Sequence, residues 1–235
     1  GRGVDEIESG CGGRRMKKRP KLIHCSFDEV YSFEPRVPES RTDWEDDKIK
    51  RICVAPTIRQ CLMAMPRAGE AIKWIRATGM PVIIHAYYLE ADKVEYDTRD
   101  YVLDAEITEE FWVLEKPKDW KRIDYEITSC QLIDGKDLLG KEMTGIYNVR
   151  IKRTAYTDNL RSLVEGAGLD YDDFRKKCPS ATFGRMARNC SMELAEDIKK
   201  KREAYQNKKL FESLQRRVAA YRESEDWKKR RVAEL

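Results

Sequence analysis

The segment Asp104-Ala-Glu-Ile-Thr-Glu-Glu-Phe-Trp-Val-Leu-Glu115 decides how the rest of the chain is interpreted. The apolar run that follows Glu110 predicts a strand that is covered on both faces. Because successive side chains of a strand alternate, we expect Glu110 and Trp112 on one face and Phe111 on the other. Glutamates are rarely buried unless they are paired or used, so the Glu109–Glu110 edge is the best candidate for chemistry. The alternative is that both are solvated charges at the start of the strand.

The composition allows one sizeable domain, or one domain with an appendage, in 235 residues. The formal net charge of +4 is small for this length, which argues against a molecule that clamps nucleic acid over its whole surface. The basic excess is local, because Lys and Arg outnumber Asp and Glu about two to one from Lys199 onward. The sequence has no run of eighteen apolar residues and no signal-peptide pattern at its start, so we expect no membrane association.

The cysteines are odd in number, irregularly spaced and without a Cys-x-x-Cys pair. The seven are Cys11, Cys25, Cys53, Cys61, Cys130, Cys178 and Cys190. With only His24 and His85 to complete a ligand set, a zinc site is disfavoured and we expect no metal. Free thiols in a reducing compartment are the simpler account, so the protein is predicted to be cytoplasmic.

Apolar runs and helical spacing predict an α+β core in the first half of the chain. The predicted strands lie at 21–27, 51–55, 81–89, 111–114 and 121–130. The last of these is expected to be an outer antiparallel strand. A helix should begin after Pro56, with Thr57 as its cap, and a second helix over 69–77 should end at Gly79. Residues 31–50 are predicted to form an exposed, ordered loop, and loops of this length are often functional.

The chain divides into three predicted parts. Residues 1–19 are Gly-rich and then basic, which predicts a disordered lead, with Met16 as a candidate true start. Residues 20–133 are expected to form an α+β catalytic-type domain. Residues 134–235 are expected to form a helical region, in which glycines first break the chain into a connector and small helical turns. Ser191 then begins one long charged helix that runs nearly to the C-terminus.

The predicted long helix carries an apolar stripe at three- and four-residue spacing on an otherwise charged surface. The stripe consists of Phe211, Leu214, Val218 and Tyr221. The helix could dock on its own domain by this stripe, pair with a second copy as a homodimer, or bind nucleic acid or a partner through basic side chains. The candidate binding residues are Arg216, Arg217, Lys228, Lys229, Arg230 and Arg231. A solvated helix that self-associates is the plainer interpretation.

Four short motifs occur in a characteristic order along about residues 20–130. They are His24-Cys25-Ser26 on the first strand, Phe33-Glu34-Pro35-Arg36 in the loop, Ile52-Cys-Val-Ala-Pro-Thr-Ile58 from strand to helix, and Glu110-Phe-Trp-Val-Leu114. In this order and spacing the chain resembles the ADP-ribosyltransferase-like fold, in which NAD lies across a split, antiparallel-rich sheet with flanking helices. The C-terminal third lies outside the resemblance.

The resemblance implies roles for the residues that match these motifs. His24 would take part in catalysis by hydrogen-bonding the ribose on the nicotinamide side of NAD, assisted by Ser26. Arg36 would hold the pyrophosphate through a bidentate contact. Glu110 would be the catalytic carboxylate that binds the 2′-hydroxyl and stabilises the oxocarbenium-like state as nicotinamide leaves. Thr57 is a further cofactor-binding candidate, because it carries the only hydroxyl of Val54-Ala-Pro-Thr57, where the family often has Tyr or Ser-Thr-Ser.

Plainer interpretations of the same residues stay open. His24 is equally suited to a structural role near a strand end, and Arg36 alone would be an ordinary surface arginine. His85 lies inside an apolar strand and is expected in the core or in the wall of a cleft.

The sequence therefore predicts an NAD-using ADP-ribosyltransferase-like protein that cleaves the nicotinamide–ribose bond. The acceptor of ADP-ribose could be a protein, a nucleic acid or water. A toxin or a phage–host conflict factor would suit such a unit, by analogy of fold. The alternative is a non-enzymatic module that binds nucleic acid or a protein through the basic C-terminal helix.

Overall fold

The computed structural model describes residues 19–38, 45–102, 104–137, 140–155 and 158–223. In these parts the chain is a mixed α+β protein with antiparallel sheets and a long C-terminal helix, which confirms the predicted fold class at that level. The predicted disordered lead and its Met16 lie outside the described residues, except for Arg19. So do Lys228, Lys229, Arg230 and Arg231.

The described residues form seven strands and seven helices. The strands are β1 (Leu22–Ser26), β2 (Ile52–Val54), β3 (Ile83–Glu90), β4 (Val94–Glu95), β5 (Phe111–Val113), β6 (Asp119–Lys136) and β7 (Glu142–Arg153). The helices are α1 (Ile58–Ala64), α2 (Ala68–Ala77), α3 (Ala105–Thr108), α4 (Asn159–Gly166), α5 (Tyr171–Lys177), α6 (Phe183–Asn189) and α7 (Met192–Glu223).

The strands form two antiparallel sheets that a backbone bridge joins. One sheet has the order β1-β3-β6-β7, and the other has the order β2-β5-β4. An isolated bridge joins them, because Ile23 N donates to Ala55 O at 3.0 Å and Ala55 N donates to Ile23 O at 2.9 Å. On their other edges β1 pairs with β3 and β2 pairs with β5, and no further backbone pairing joins β1 to β2 among the described residues.

Three predicted helix ends are confirmed by their hydrogen bonds and backbone angles. The Thr57 hydroxyl accepts a hydrogen bond from Gln60 N at 3.2 Å at the start of α1. Gly79 ends the turn after α2 with a φ of 73°, a left-handed conformation that glycine adopts without strain. The Ser191 hydroxyl accepts from Leu194 N at 3.3 Å at the start of α7.

Strand β5 is covered on both faces, as its apolar run predicts. Trp112 is fully buried in a cluster with Val102 and Ala105. Val113 points to the opposite face and packs in a different cluster, which includes Ile52. The predicted alternation of this strand is therefore confirmed.

The main core lies between α2 and the larger sheet, and it draws on the C-terminal helices as well. Trp74 of α2 is buried there beside Ile84 of β3. Leu160 of α4 and Phe183 of α6 belong to the same cluster. The predicted boundary between residues 133 and 134 falls inside β6.

Two predictions about the second half of the sheet are wrong. Strand β6 is not an outer strand, because it pairs with both β3 and β7. Residues 142–153 are not a connector with helical turns, because they form strand β7. Much of this strand is exposed and polar, so it lacks the apolar alternation that marks a half-buried strand. Gly140, expected to be a break, is in the turn between the two strands, with a φ of 78°.

Helix α7 is attached by its first turns, and its apolar stripe is exposed. Ala195 is buried in the main core, and Arg202 Nη1 donates to Ser162 O at 3.0 Å. Phe211 and Leu214 remain exposed at 62% and 46% of their surface. The stripe therefore does not dock on the protein's own described residues.

Gly69 sets how closely α2 approaches β7, which yields a prediction. A Cβ at this position would lie 2.1 Å from Thr144 O, and backbone atoms cannot move aside cheaply. Although Ala is the better helix former by about 1 kcal/mol, we expect Gly69→Ala to lower the free energy of unfolding by about 1–3 kcal/mol. Urea denaturation measures this change. Gly135→Ala, where a Cβ meets nothing within 4 Å, is the control, and a Gly69→Ala variant as stable as wild type would contradict the close approach.

Candidate functional site

A cleft of about 670 Å³ opens where β1 and β2 diverge. Four residues from the predicted site line it, namely His24, Ser26, Arg36 and Glu110. They come from β1, from the loop that follows it and from the start of β5, so their meeting is a product of the fold. A volume of this size is ordinary for a small-molecule site, for which about 300–1,000 Å³ is typical.

Glu110 is held in the cleft wall as a buried carboxyl group with only 7% of its surface exposed. Trp112 Nε1 donates to its Oε1 at 2.7 Å, and the Thr98 hydroxyl donates to its backbone oxygen at 2.6 Å. Burial raises the pKa of Glu110, while hydrogen bonds from Trp112 and the Cys53 thiol oppose that rise. The carboxyl group is thus fixed in position and favours its protonated form more than an ordinary Glu.

The two carboxylates of the sequence motif have different environments. Glu109 is exposed and does not line the cleft. It ends α3 in a left-handed conformation with a φ of 47°. This turn carries the chain from α3 into β5 and directs Glu110 inward. The candidate for chemistry is therefore Glu110 alone.

Arg51 lines the cleft beside Glu110, and sequence reasoning missed it. Its guanidinium lies 4.1 Å from the centre of the Trp112 ring and is fully buried. It pairs with Glu45 at 3.0 Å and donates to Asp46 O at 2.8 Å. A buried arginine with these partners fixes the indole that holds Glu110. In the sequence Arg51 is only the first residue of a predicted strand, and no sequence signal identified this role.

His24 is presented to the cleft as a neutral ring. Its Nδ1 lies 2.9 Å from Cys53 O, and since a carbonyl only accepts, Nδ1 carries the proton. Burial lowers the pKa of His24, and the positive charge of Arg36 lowers it further, against the bond to Cys53. The ring is therefore neutral at pH 7, and Nε2 is left as a hydrogen-bond acceptor.

The loop after β1 is anchored by aromatic packing. Phe33 is buried, and its ring centre lies 5.4 Å from that of His24 and 5.3 Å from that of Tyr87, both edge to face. The Tyr87 hydroxyl accepts from Val30 N at 2.8 Å.

Arg36 then pairs through its backbone with Arg51, which places the exposed Arg36 side chain at the cleft. The predicted exposed but ordered loop is confirmed for residues 31–38 and 45–50.

The C-terminal third also reaches the cleft, which sequence reasoning did not foresee. The Ser26 hydroxyl accepts from Asp28 N at 3.0 Å, just past the end of β1. The Asp28 carboxylate accepts from Gly184 N, also at 3.0 Å, at the start of α6. Arg188 at the end of α6 lines the same cleft.

The other predicted residues lie elsewhere. Thr57 is exposed, caps α1 and does not line the cleft. Arg216 and Arg217 lie exposed on α7, away from the cleft lining. His85 is fully buried with its Nδ1 at 2.8 Å from Asp124, which confirms its place in the core.

Cysteine, metal and membrane features were checked over the parts of the chain that the structure describes. Cys25, Cys53, Cys61, Cys130, Cys178 and Cys190 are free thiols, as expected. Within the described ranges, no group of three or more His, Cys, Asp or Glu side chains could hold a metal ion. None of the described helices is both long and apolar enough to span a bilayer.

Comparison with known proteins found no match to this chain. No protein-family model matches the chain, and neither a curated protein nor a solved structure matches it. The chemistry must therefore be argued from the cleft itself.

The burial of Glu110 predicts a pH-dependent stability difference. A glutamate whose pKa is raised by folding contributes stability that is complete below its unfolded pKa and is lost as pH rises through the folded pKa. Glu110→Gln keeps an acceptor for Trp112 but does not titrate. As the pH is raised from 4 to 8, the free energy of unfolding of Glu110→Gln should therefore increase relative to that of the wild type. Chemical denaturation at several pH values measures it, and a pH-independent difference would contradict the assignment.

Proposed function

We propose that this protein binds NAD in the cleft, cleaves the nicotinamide–ribose bond and transfers ADP-ribose to a macromolecule. The observation that carries the proposal is the meeting of His24, Ser26, Arg36 and Glu110 in one cleft, from positions up to 86 residues apart (110 − 24). All four residues belong to the motifs on which the sequence resemblance depends. Their chemical types also suit the separate parts of NAD.

Each residue has a chemical task in this proposal. His24 Nε2 accepts a hydrogen bond from a ribose hydroxyl, since Nδ1 is occupied by Cys53 O. Arg36 binds the pyrophosphate, and within the described residues no carboxylate oxygen lies within 4.0 Å of its guanidinium. The Ser26 hydroxyl already accepts from Asp28 N and keeps its own proton to donate to the substrate.

Glu110 acts on the bond that breaks. The glycosidic bond breaks with its electron pair moving to the nicotinamide nitrogen, so a pyridinium becomes neutral nicotinamide and the ribose becomes an oxocarbenium ion. The Glu110 carboxylate accepts a hydrogen bond from the 2′-hydroxyl and stabilises this cation. The acceptor nucleophile then bonds to the ribose carbon and releases a proton to solvent.

The raised pKa of Glu110 is compatible with this task. Burial favours the protonated carboxyl group in the free protein. The positive nicotinamide ring of NAD favours the ionised form when it lies nearby. Substrate binding and ionisation of Glu110 therefore support each other, and turnover should fall as pH drops.

The proposal predicts NAD binding and nicotinamide release that depend on Glu110. NAD should raise the melting temperature of the wild type by mass action. Glu110→Gln should still fold and bind NAD but release nicotinamide at least about 100-fold more slowly, the scale of losing a key electrostatic group. Thermal shift and a nicotinamide-release assay give the two readouts.

The control for this experiment is the adjacent exposed carboxylate. Glu109→Gln should release nicotinamide like the wild type, because Glu109 does not line the cleft. A thermal shift without nicotinamide release would mean that the protein binds the nucleotide without using it. No shift at millimolar NAD would refute the proposal.

The exposed stripe of α7 favours a second candidate function. Phe211, Leu214, Val218 and Tyr221 are spaced by three, four and three residues and are 46–62% exposed. This narrow seam is the pattern of a coiled-coil helix rather than of a membrane-surface helix. Arg217 and Arg222 flank the seam on its two sides. In a parallel pair of identical helices these arginines would face each other across the seam, which disfavours a parallel homodimer.

We infer that α7 binds an acidic amphipathic partner helix, whose carboxylates would pair with the flanking arginines. A designed helical peptide with Leu on its seam and Glu beside it should bind the wild type, more weakly at high salt, and should not bind Leu214→Ser. The same peptide with Lys in place of Glu is the control and should not bind. Binding of a 12-nucleotide oligonucleotide that is lost in Arg216→Gln/Arg217→Gln but kept in Leu214→Ser would contradict this inference and indicate nucleic acid.

A further inference from the structure

Arg188 is the cation that α6 contributes to the cleft, and none of the proposed chemical steps uses it. It is partly buried and lines the cleft beside Asp28. Arg67 and Arg185 lie near it on exposed positions of the α2 start and of α6. Arg67 Nη1 donates to Asn189 Oδ1 at 3.1 Å, which ties the start of α2 to the end of α6. Arg188 therefore lines the cleft itself, and two further arginines lie near it outside the lining.

The carboxylate beside Arg188 is that of Asp28, and it already accepts hydrogen bonds from α6. Asp28 accepts hydrogen bonds from Gly184 N and Phe183 N and from the Thr182 hydroxyl. The absence of a side chain at Gly184 permits this, because a Cβ there would lie 2.7 Å from Asp28 Oδ2. Within the described ranges, no carboxylate oxygen lies within 4.0 Å of the Arg188 guanidinium.

Two cations and one carboxylate act on the Arg188 guanidinium. Burial, together with the charges of Arg67 and Arg185, lowers the pKa of Arg188, and only Asp28 acts in the opposite direction. A partly desolvated cation with like-charged neighbours gains most from a ligand that carries negative charge. Guanidinium groups match phosphate oxygens in geometry as well as in charge.

We propose that Arg188, with Arg67 and Arg185, forms a phosphate-binding subsite of the cleft, separate from Arg36. The subsite rests on the proposed function for the identity of its ligand. The phosphate belongs either to NAD itself or to the phosphodiester backbone of a nucleic-acid acceptor. The charge of Arg36 acts on His24, whereas the charge of Arg188 acts on Asp28, four residues further along the chain.

The test compares Arg188→Gln with wild type for two probes, NAD by calorimetry and a fluorescent 12-nucleotide single-stranded oligonucleotide by anisotropy. The subsite predicts that Kd rises about tenfold or more for at least one probe, the scale of a charge-assisted hydrogen bond. A loss confined to NAD assigns the phosphate to NAD. A loss of affinity confined to the oligonucleotide assigns the phosphate to the acceptor. In that case the slope of log Kd against log salt concentration should also be lower by about one.

Controls separate the subsite from folding and from net charge. Lys200→Gln removes an equal charge from an exposed position on α7 and should leave both Kd values unchanged. If Arg188→Gln lowers the melting temperature, the exposed Arg185→Gln and Arg67→Gln variants should each weaken the same probe. Unchanged Kd values for both probes in all three variants would overturn the subsite.

The outcomes also distinguish the subsite from the proposed function. If wild type fails to bind NAD while oligonucleotide binding depends on Arg188, the proposed function fails and the subsite stands. If NAD is turned over and both probes ignore Arg188, the proposed function stands and the subsite fails.

Discussion

The cleft depends on the backbone bridge between Ile23 and Ala55. Two hydrogen bonds, at 3.0 and 2.9 Å, hold the two sheets together at this point. Apart from this bridge, no backbone pairing joins β1 to β2 among the described residues, and the cleft lies between the two strands. His24 comes directly after Ile23 on one strand, and Cys53, whose oxygen binds the His24 ring, lies on the other. The same bridge thus opens the cleft and fixes its histidine.

The sequence was informative wherever local rules agree with the final packing. The wholly apolar run after Glu110 predicted a strand buried on both faces, and β5 has that environment. Thr57 and Gly79 act at the helix ends where capping and left-handed glycine geometry predict them. The candidate residues of the cleft could also be predicted, because the motifs of the resemblance contain them. Ser26 ends β1, Arg36 lies in the loop after it, His24 lies within β1 and Glu110 immediately precedes β5.

Other features were not predictable, because they depend on contacts between distant segments. Arg51 is buried only because Trp112 and Glu45 surround it, and its own sequence neighbourhood resembles that of any charged strand entry. Arg188 reaches the cleft through the contact of α6 with Asp28, across 160 residues (188 − 28). Strand β7 was missed since its backbone pairing with β6, rather than an apolar face, makes it a strand. Single-sequence patterns report local preference and burial, and none of these three features is local.

The central claim is that the cleft between β1 and β2 binds NAD with its nicotinamide-side ribose between His24 and Glu110. The most direct measurement is a crystal structure of the protein with NAD bound. The claim predicts ribose hydroxyl oxygens within about 3.2 Å of His24 Nε2 and of a Glu110 carboxyl oxygen. It also predicts the pyrophosphate at the guanidinium of Arg36. NAD bound outside the cleft, or bound within it with the adenosine end against Glu110, would contradict the claim.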